Sequence, residues 1–182
     1  MDTLTQQEQL IIVIGILVAA FLYWNNRRPD KDGRLPDKAM TIDSVEKIIL
    51  TNFHAKDNQP ATKNTTEKTI QKQLFNFLEK KVLHVQEHKT LSNTVRKNID
   101  FDLGRSRVGN EIKMGKSVFK AAERKRLVDQ ISDYNEADYG DDNLLLLIFC
   151  DEEAMKKRVF HKEVVDSLSE FSVKIHFLPI TS

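Results

Sequence analysis

Between Thr66 and Ile180 the hydrophobic positions change period several times, and each change marks an element. Ile70, Leu74, Phe77 and Leu78 recur at helical spacing behind Thr66, whose hydroxyl suits an N-cap, and Glu67 falls in the first turn. A first strand is expected near Leu83 to Glu87. Ile99, Phe101 and Leu103 then alternate with Asp100, Asp102 and Gly104, the period-two pattern of a half-buried strand. Arg105 to Gly109 reads as a polar turn, after which Ile112 and Met114 alternate with Glu111 and Lys113, so the two segments predict a hairpin. Ser117 opens a helix carrying Val118, Ala121, Ala122, Leu127 and Ile131. Leu144 to Cys150 is apolar throughout, as in a central strand covered on both faces. Val159 to Phe171 predicts a further helix and Val173 to Ile180 a closing strand. The order α-β-β-β-α-β, extended by one helix and one strand, predicts an α/β domain with a mixed central sheet over residues 66–182.

Upstream the pattern is different. Leu10 to Trp24 contains no charge and is rich in Ile, Leu and Val. At helical rise it covers about 22 Å, somewhat short of a hydrocarbon core of about 30 Å, so Leu4 to Gln9 lengthens the helix or the bilayer adapts. Tyr23 and Trp24 suit the headgroup layer, Arg27 and Arg28 follow, and the preceding tail carries Asp2 and Glu8 without Lys or Arg. That asymmetry predicts a single-pass anchor over residues 10–24 in the cytoplasmic membrane, behind a tail of residues 1–9, with the C-terminal domain in the cytoplasm. A cleaved signal peptide is disfavoured, because the basic first segment and small cleavage-site residues are missing. Residues 25–41, with Pro29, Gly33 and Pro36, read as a linker. Residues 42–65 read as a short amphipathic helix, with Ile42, Val45, Ile48 and Ile49 on its core-packing side, and then a loop.

Charge and cysteine content narrow the classes. The formal net charge of +1 gives no polyelectrolyte character overall. Locally, however, Arg105, Arg107, Lys113, Lys116, Lys120, Arg124, Lys125 and Arg126 face two acids, Glu111 and Glu123, over one stretch of chain. Such a stripe suits phosphate steering. Cys150, the single cysteine, closes an apolar run and rules out a disulfide framework. There is no Walker loop, dinucleotide glycine fingerprint or nucleophile elbow. His84, His88, His161 and His176 share no ligand spacing and read as surface or packing residues.

Candidate chemistry gathers in the hairpin. Glu-x-Lys also occurs at Glu79, Glu87 and Glu123, which is unsurprising with 30% charged residues, but at Glu79 and Glu123 the pattern is helical and residues two apart diverge around the axis. On two paired strands, carboxylates of a shared face can reach one divalent ion. Asp100 and Glu111, helped by the Ile112 backbone carbonyl, are hard oxygen ligands suited to Mg²⁺ or Mn²⁺. Lys113 beside them can orient or deprotonate a water, or stabilise developing charge. Asp102 shares the predicted face of Asp100 and is the alternative ligand.

Ile99-Asp100, the run Glu111-Ile112-Lys113-Met114-Gly115-Lys116, and Gln130-Ile131-Ser132-Asp133-Tyr134 together resemble the PD-(D/E)xK nuclease superfamily, nearest its RecB-like branch. The likeness spans residues 66–180. It implies a restriction-endonuclease-like core, metal binding by Asp100 and Glu111, a catalytic Lys113, and contacts from Gln130 and Tyr134 to the site or the nucleic acid. It adds Glu67 as a further possible ligand, since some relatives use an acidic residue on the first helix. Two departures stand out: no Pro precedes Asp100, and one cysteine cannot ligate the iron–sulfur cluster that some members carry.

The expectation is therefore a membrane-anchored, Mg²⁺- or Mn²⁺-dependent nuclease acting on DNA ahead of RNA. Lys116, Lys120, Arg124, Arg126, Gln130 and Tyr134 are its expected nucleic-acid contacts, with Lys120, Arg124 and Arg126 on one side of a helix. The competing expectation is a non-catalytic scaffold subunit of a membrane complex, binding nucleic acid or protein through the same fold. A Lys113 ammonium already paired at the metal position is the feature that would favour this second class.

Overall fold

The computed structural model describes residues 14, 16–21, 28–53, 65–92, 97–140 and 142–180. Helices α1 (Ile42–Ile48) and α2 (Glu67–Leu78) precede strands β1 (Val85–Thr90), β2 (Asn98–Leu103) and β3 (Val108–Met114). A one-turn helix α3 (Gly115–Val118) and the long α4 (Ala121–Ala137) lead to β4 (Leu144–Cys150); α5 (Glu152–Lys156) and α6 (Arg158–Ser167) lead to β5 (Val173–Pro179). The five strands lie side by side in chain order, β1–β2–β3 antiparallel and β3–β4–β5 parallel. The chain is thus α/β with a mixed sheet.

Each parallel step requires a crossover, and the helices that supply the crossovers pack on one face of the sheet. There Leu127, Ile131 and Tyr134 of α4 and Val164 of α6 meet Leu144, Leu146 and Ile148 of β4. The opposite face is covered by α1 and α2, whose Val45, Ile70, Leu74 and Leu78 meet Leu145, Leu147 and Phe149. With both faces covered, all seven residues of β4 are buried, which accounts for its unbroken apolar run. Thr66 caps α2 as its sequence position predicts, its side chain accepting from the Thr69 N–H at 3.2 Å.

Several boundaries differ from the sequence pattern for identifiable reasons. The helix expected from Ser117 is broken at Phe119–Lys120, where the Arg124 guanidinium donates to the Phe119 carbonyl at 2.7 Å and replaces a helical bond. The turn occupies 104–107, with Gly104, Arg105 and Ser106 all at positive φ, so Val108 and Gly109 belong to β3. A Cβ on Gly109 would lie 2.8 Å from the Tyr139 ring, so glycine is required by close approach. β2 is buried on both faces rather than half-buried, because α2 and α4 close over its two sides. α1 continues as a π-helical turn to Phe53, and α5 is a short helix that the hydrophobic period does not announce.

Residues 35–53 are integral to the core rather than a tether. Leu35 bridges to Val82, and Met40, Val45, Ile49 and Phe53 are buried with α2. The expected anchor over residues 10–24 lies largely outside the described residues; Ile14 and residues 16–21 are helical and exposed. Among the described residues no helix is long and apolar enough to cross a membrane.

Candidate functional site

Asp100, Glu111 and Lys113 meet where β2 and β3 part. Their ladder runs only from Leu103↔Val108 to Phe101↔Asn110, and beyond it the side chains take over the bonding between the strands. Asp100 Oδ2 accepts the Ile112 N–H at 2.8 Å, and the Asp100 N–H donates to Glu111 Oε2 at 3.4 Å. N–H and C=O of one residue point to the same side of a strand, so the Ile112 carbonyl faces this gap as well. Lys113 Nζ donates to Glu111 Oε1 at 2.5 Å.

The helices complete the shell. From α2, Glu67 accepts the Met114 N–H at 3.3 Å and lies 4.0 Å from Lys113 Nζ. One turn on, Gln71 donates from Nε2 to Asp100 Oδ1 at 2.8 Å. From α4, the Tyr134 hydroxyl lies 3.1 Å from Glu111 Oε2 and 2.9 Å from the Asn98 carbonyl, two acceptors for a single proton. Glu67, Lys113, Gln130 and Tyr134 line an open cleft of about 660 Å³, which Lys97, Asn98, Glu123, Arg126, Asp129 and Asp133 extend.

Burial sets the electrostatics. Removal from water, reinforced by Asp100, pushes Glu111 up to about 7 despite Lys113 and Tyr134. Burial likewise raises Asp100 against the Ile112 N–H and Lys113, and raises Glu67 against Lys113. Burial opposes the charge on Lys113, but Glu111, Glu67 and Asp100 outweigh it and hold its pKa above the ordinary lysine value. Burial and Glu111 raise Tyr134, which stays a protonated donor. Three carboxyl groups around one ammonium can carry more negative charge than Lys113 offsets, and their raised pKa values mark ionised forms that a further cation would stabilise. An all-oxygen donor set with that excess fits a hard divalent cation. As placed, each carboxylate is engaged by protein donors, and among the described residues no three His, Cys, Asp or Glu converge on one ion position.

The remaining candidates separate. Asp102 belongs elsewhere: its Oδ1 accepts from the Tyr139 hydroxyl at 2.8 Å and the Ser106 N–H at 2.7 Å, with Lys89 3.6 Å away. It pins the hairpin turn and lies apart from the bonds that Asp100 makes. The basic stripe does not form one helix face either. Lys120 precedes α4 and is exposed, as is Lys116. Arg124 turns to Glu163 of α6 at 2.9 Å, and Arg126 pairs with Glu123 at the cleft. His84 bonds Asp37 at 2.8 Å and His161 stacks on Phe177. Gln71 escapes sequence reasoning, because a polar residue beside a buried stripe ordinarily faces solvent; its spacing of four from Glu67 is the one available clue.

No family model, no curated protein and no solved structure matches the chain.

Proposed function

We propose that the protein is a membrane-anchored nuclease of the PD-(D/E)xK type, nearest the RecB-like branch, which hydrolyses phosphodiester bonds in DNA ahead of RNA with Mg²⁺ or Mn²⁺. The observation that carries this reading is the convergence of Asp100, Glu111, Lys113 and Tyr134, distant in sequence and drawn from β2, β3 and α4, on the gap between two strands beside an open cleft. The order of elements from α2 to β4 and the mixed sheet agree with a restriction-endonuclease-like core.

Asp100 and Glu111 would hold the ion, with the Ile112 carbonyl and Glu67 next to them. When bound, it would acidify a water and neutralise charge on the scissile phosphate. The protein residues do the rest. Gln71 and the Ile112 N–H hold the Asp100 carboxylate, and Tyr134 holds Glu111, which limits how far these groups would turn to take an ion. Lys113, released from Glu111, is placed to orient a water or to donate to a phosphoryl oxygen. Gln130 and Arg126 line the cleft within which a strand would lie, and Lys116 and Lys120 add exposed positive charge outside it.

A second reading has its own observation. The Lys113–Glu111 pair at 2.5 Å neutralises both groups without any ion, as expected of a scaffold that retains the fold and binds nucleic acid or protein without turnover. Titration with Mn²⁺ followed by electron paramagnetic resonance separates the two. The nuclease reading requires a bound Mn²⁺ that disappears in Glu111→Gln; a wild-type protein that binds none supports the scaffold.

A further inference from the structure

Residues two apart on a strand share a face, yet β1 and β2 both break this rule at one level. On β2, Phe101 and Leu103 lie in the core under α2, whereas Ile99 lies in the core under α4. The alternate residues change over too. Asp102 bonds Tyr139, which belongs to the α4 side, and Asp100 bonds Gln71 of α2. On β1, Val85 packs on the α2 side, while Lys89 reaches Asp102 and lies over the Tyr139 ring. The β1–β2 ladder pairs Glu87 with Phe101 and Lys89 with Ile99, so the level at which both strands change over is that of His88 opposite Asp100. His88 has φ +49°, a left-handed backbone inside an edge strand.

A regular β1 would carry the alternation through this level and leave Asp100 on the same face as Asp102. Its carboxylate would then point at α4, away from Gln71 and the Ile112 N–H. Left-handed geometry strongly disfavours β-branched residues, is free to glycine, and is tolerated by Asn and His. We propose that the left-handed backbone at His88 is the positioning device of the site: it turns β1 and β2 together, so that Asp100 enters the gap beside Glu111. The imidazole is exposed, and its charge is a smaller influence on the Asp100 carboxyl than burial, the Ile112 N–H, Lys113 or Gln71, so the placement is assigned to the backbone and not to the ring. The placement of Asp100 follows from backbone geometry; its consequence for turnover rests on the nuclease reading.

Backbone and side-chain roles are separated by His88→Gly, His88→Asn and His88→Val in the full chain. Crystal structures of the variants would be read at the Asp100 Oδ2 to Ile112 N distance, with hydrogen exchange of the Ile112 amide as the solution measure. Gly and Asn should keep the 2.8 Å bond, slow exchange, and Mn²⁺ affinity and turnover within about twofold of wild type. Val should lose the bond, accelerate Ile112 exchange and weaken Mn²⁺ binding at least about tenfold. Loss of the bond in His88→Gly, or its retention in a folded His88→Val, overturns the proposal. If His88→Val does not fold, His88→Gly decides by itself. If no variant and no wild type cleaves DNA while the bond follows the Gly, Asn, Val series, the positioning stands and the nuclease reading fails.

Discussion

Glu111 shows how much one buried carboxyl group can decide. Its pKa of about 7 lies well above the ordinary glutamate value of 4.5, so the folded chain holds a proton in that interval which the unfolded chain has lost. The resulting stability is complete below about pH 4.5 and disappears as pH rises through 7. In EDTA, wild-type melting temperature should therefore fall between about pH 5 and 8 more steeply than that of Glu111→Gln, which keeps the shape and never ionises. Equal slopes would mean that Glu111 ionises freely. Asp100 needs a gentler substitution than alanine. Asp100→Ala leaves the Ile112 N–H and Gln71 without an acceptor, at a cost of about 1–3 kcal/mol, whereas Asp100→Asn retains an oxygen for the amide. Chemical denaturation should rank Asn well above Ala in stability, with both inactive; equal stability would remove the bonding role. Asp100, Glu111 and Lys113 are legible in the sequence because their types and spacing carry chemistry. That Asp100 and Asp102 part company is not, since alternation presumes a regular strand and nothing in Asp-Phe-Asp announces a change of face.

Among the elements, α4 and the turn before it are where a packing role and the proposed nucleic-acid contacts can be separated. Arg124 ties the start of α4 to Glu163 and to the Phe119 carbonyl. Arg124→Ala should lower stability by about 0.5–1.5 kcal/mol and leave the salt dependence of DNA binding unchanged. Neutralising Lys116, Lys120 and Arg126 should leave stability intact and reduce the slope of log affinity against log salt by about 0.7–0.9 for each phosphate no longer engaged. A flattened slope in Arg124→Ala, or an unaltered one in the triple variant, would reverse these assignments. Tyr134→Phe takes the donor from Glu111 and the Asn98 carbonyl, so turnover should fall with only a modest drop in melting temperature. The periodic apolar residues make α2, β3 and β4 readable, because the core repeats at their spacing. The break before α4 is hidden: Val118, Ala121 and Ala122 keep helical spacings of three and four across it, and the side chain that replaces the missing bond lies further along the chain.

At the scale of the molecule, the domain begins well before Thr66. Met40, Val45, Ile49 and Phe53 are buried against α2, and burying each such side chain is worth about 1.5–3 kcal/mol. Together they rival the whole stability of a typical domain, about 5–15 kcal/mol. A fragment of residues 28–182 should unfold cooperatively in urea, and one of residues 66–182 should be largely unfolded without denaturant; a stable short fragment would contradict this packing. Pro29, Gly33 and Pro36 make the segment look like a tether, because turn residues are conspicuous in a sequence and isolated buried ones such as Met40 are not. The positive charges after residue 24 predict that protease added to spheroplasts spares the domain, and digestion without lysis would invert that topology. The nuclease reading itself meets its most direct trial in cleavage of end-labelled DNA by the full chain in Mg²⁺, with Asp100→Asn prepared identically. Divalent-dependent cleavage by wild type, abolished in EDTA and in Asp100→Asn, is the predicted result. Undiminished cleavage by the variant or in EDTA, or no cleavage by wild type in Mg²⁺ or Mn²⁺, would contradict it.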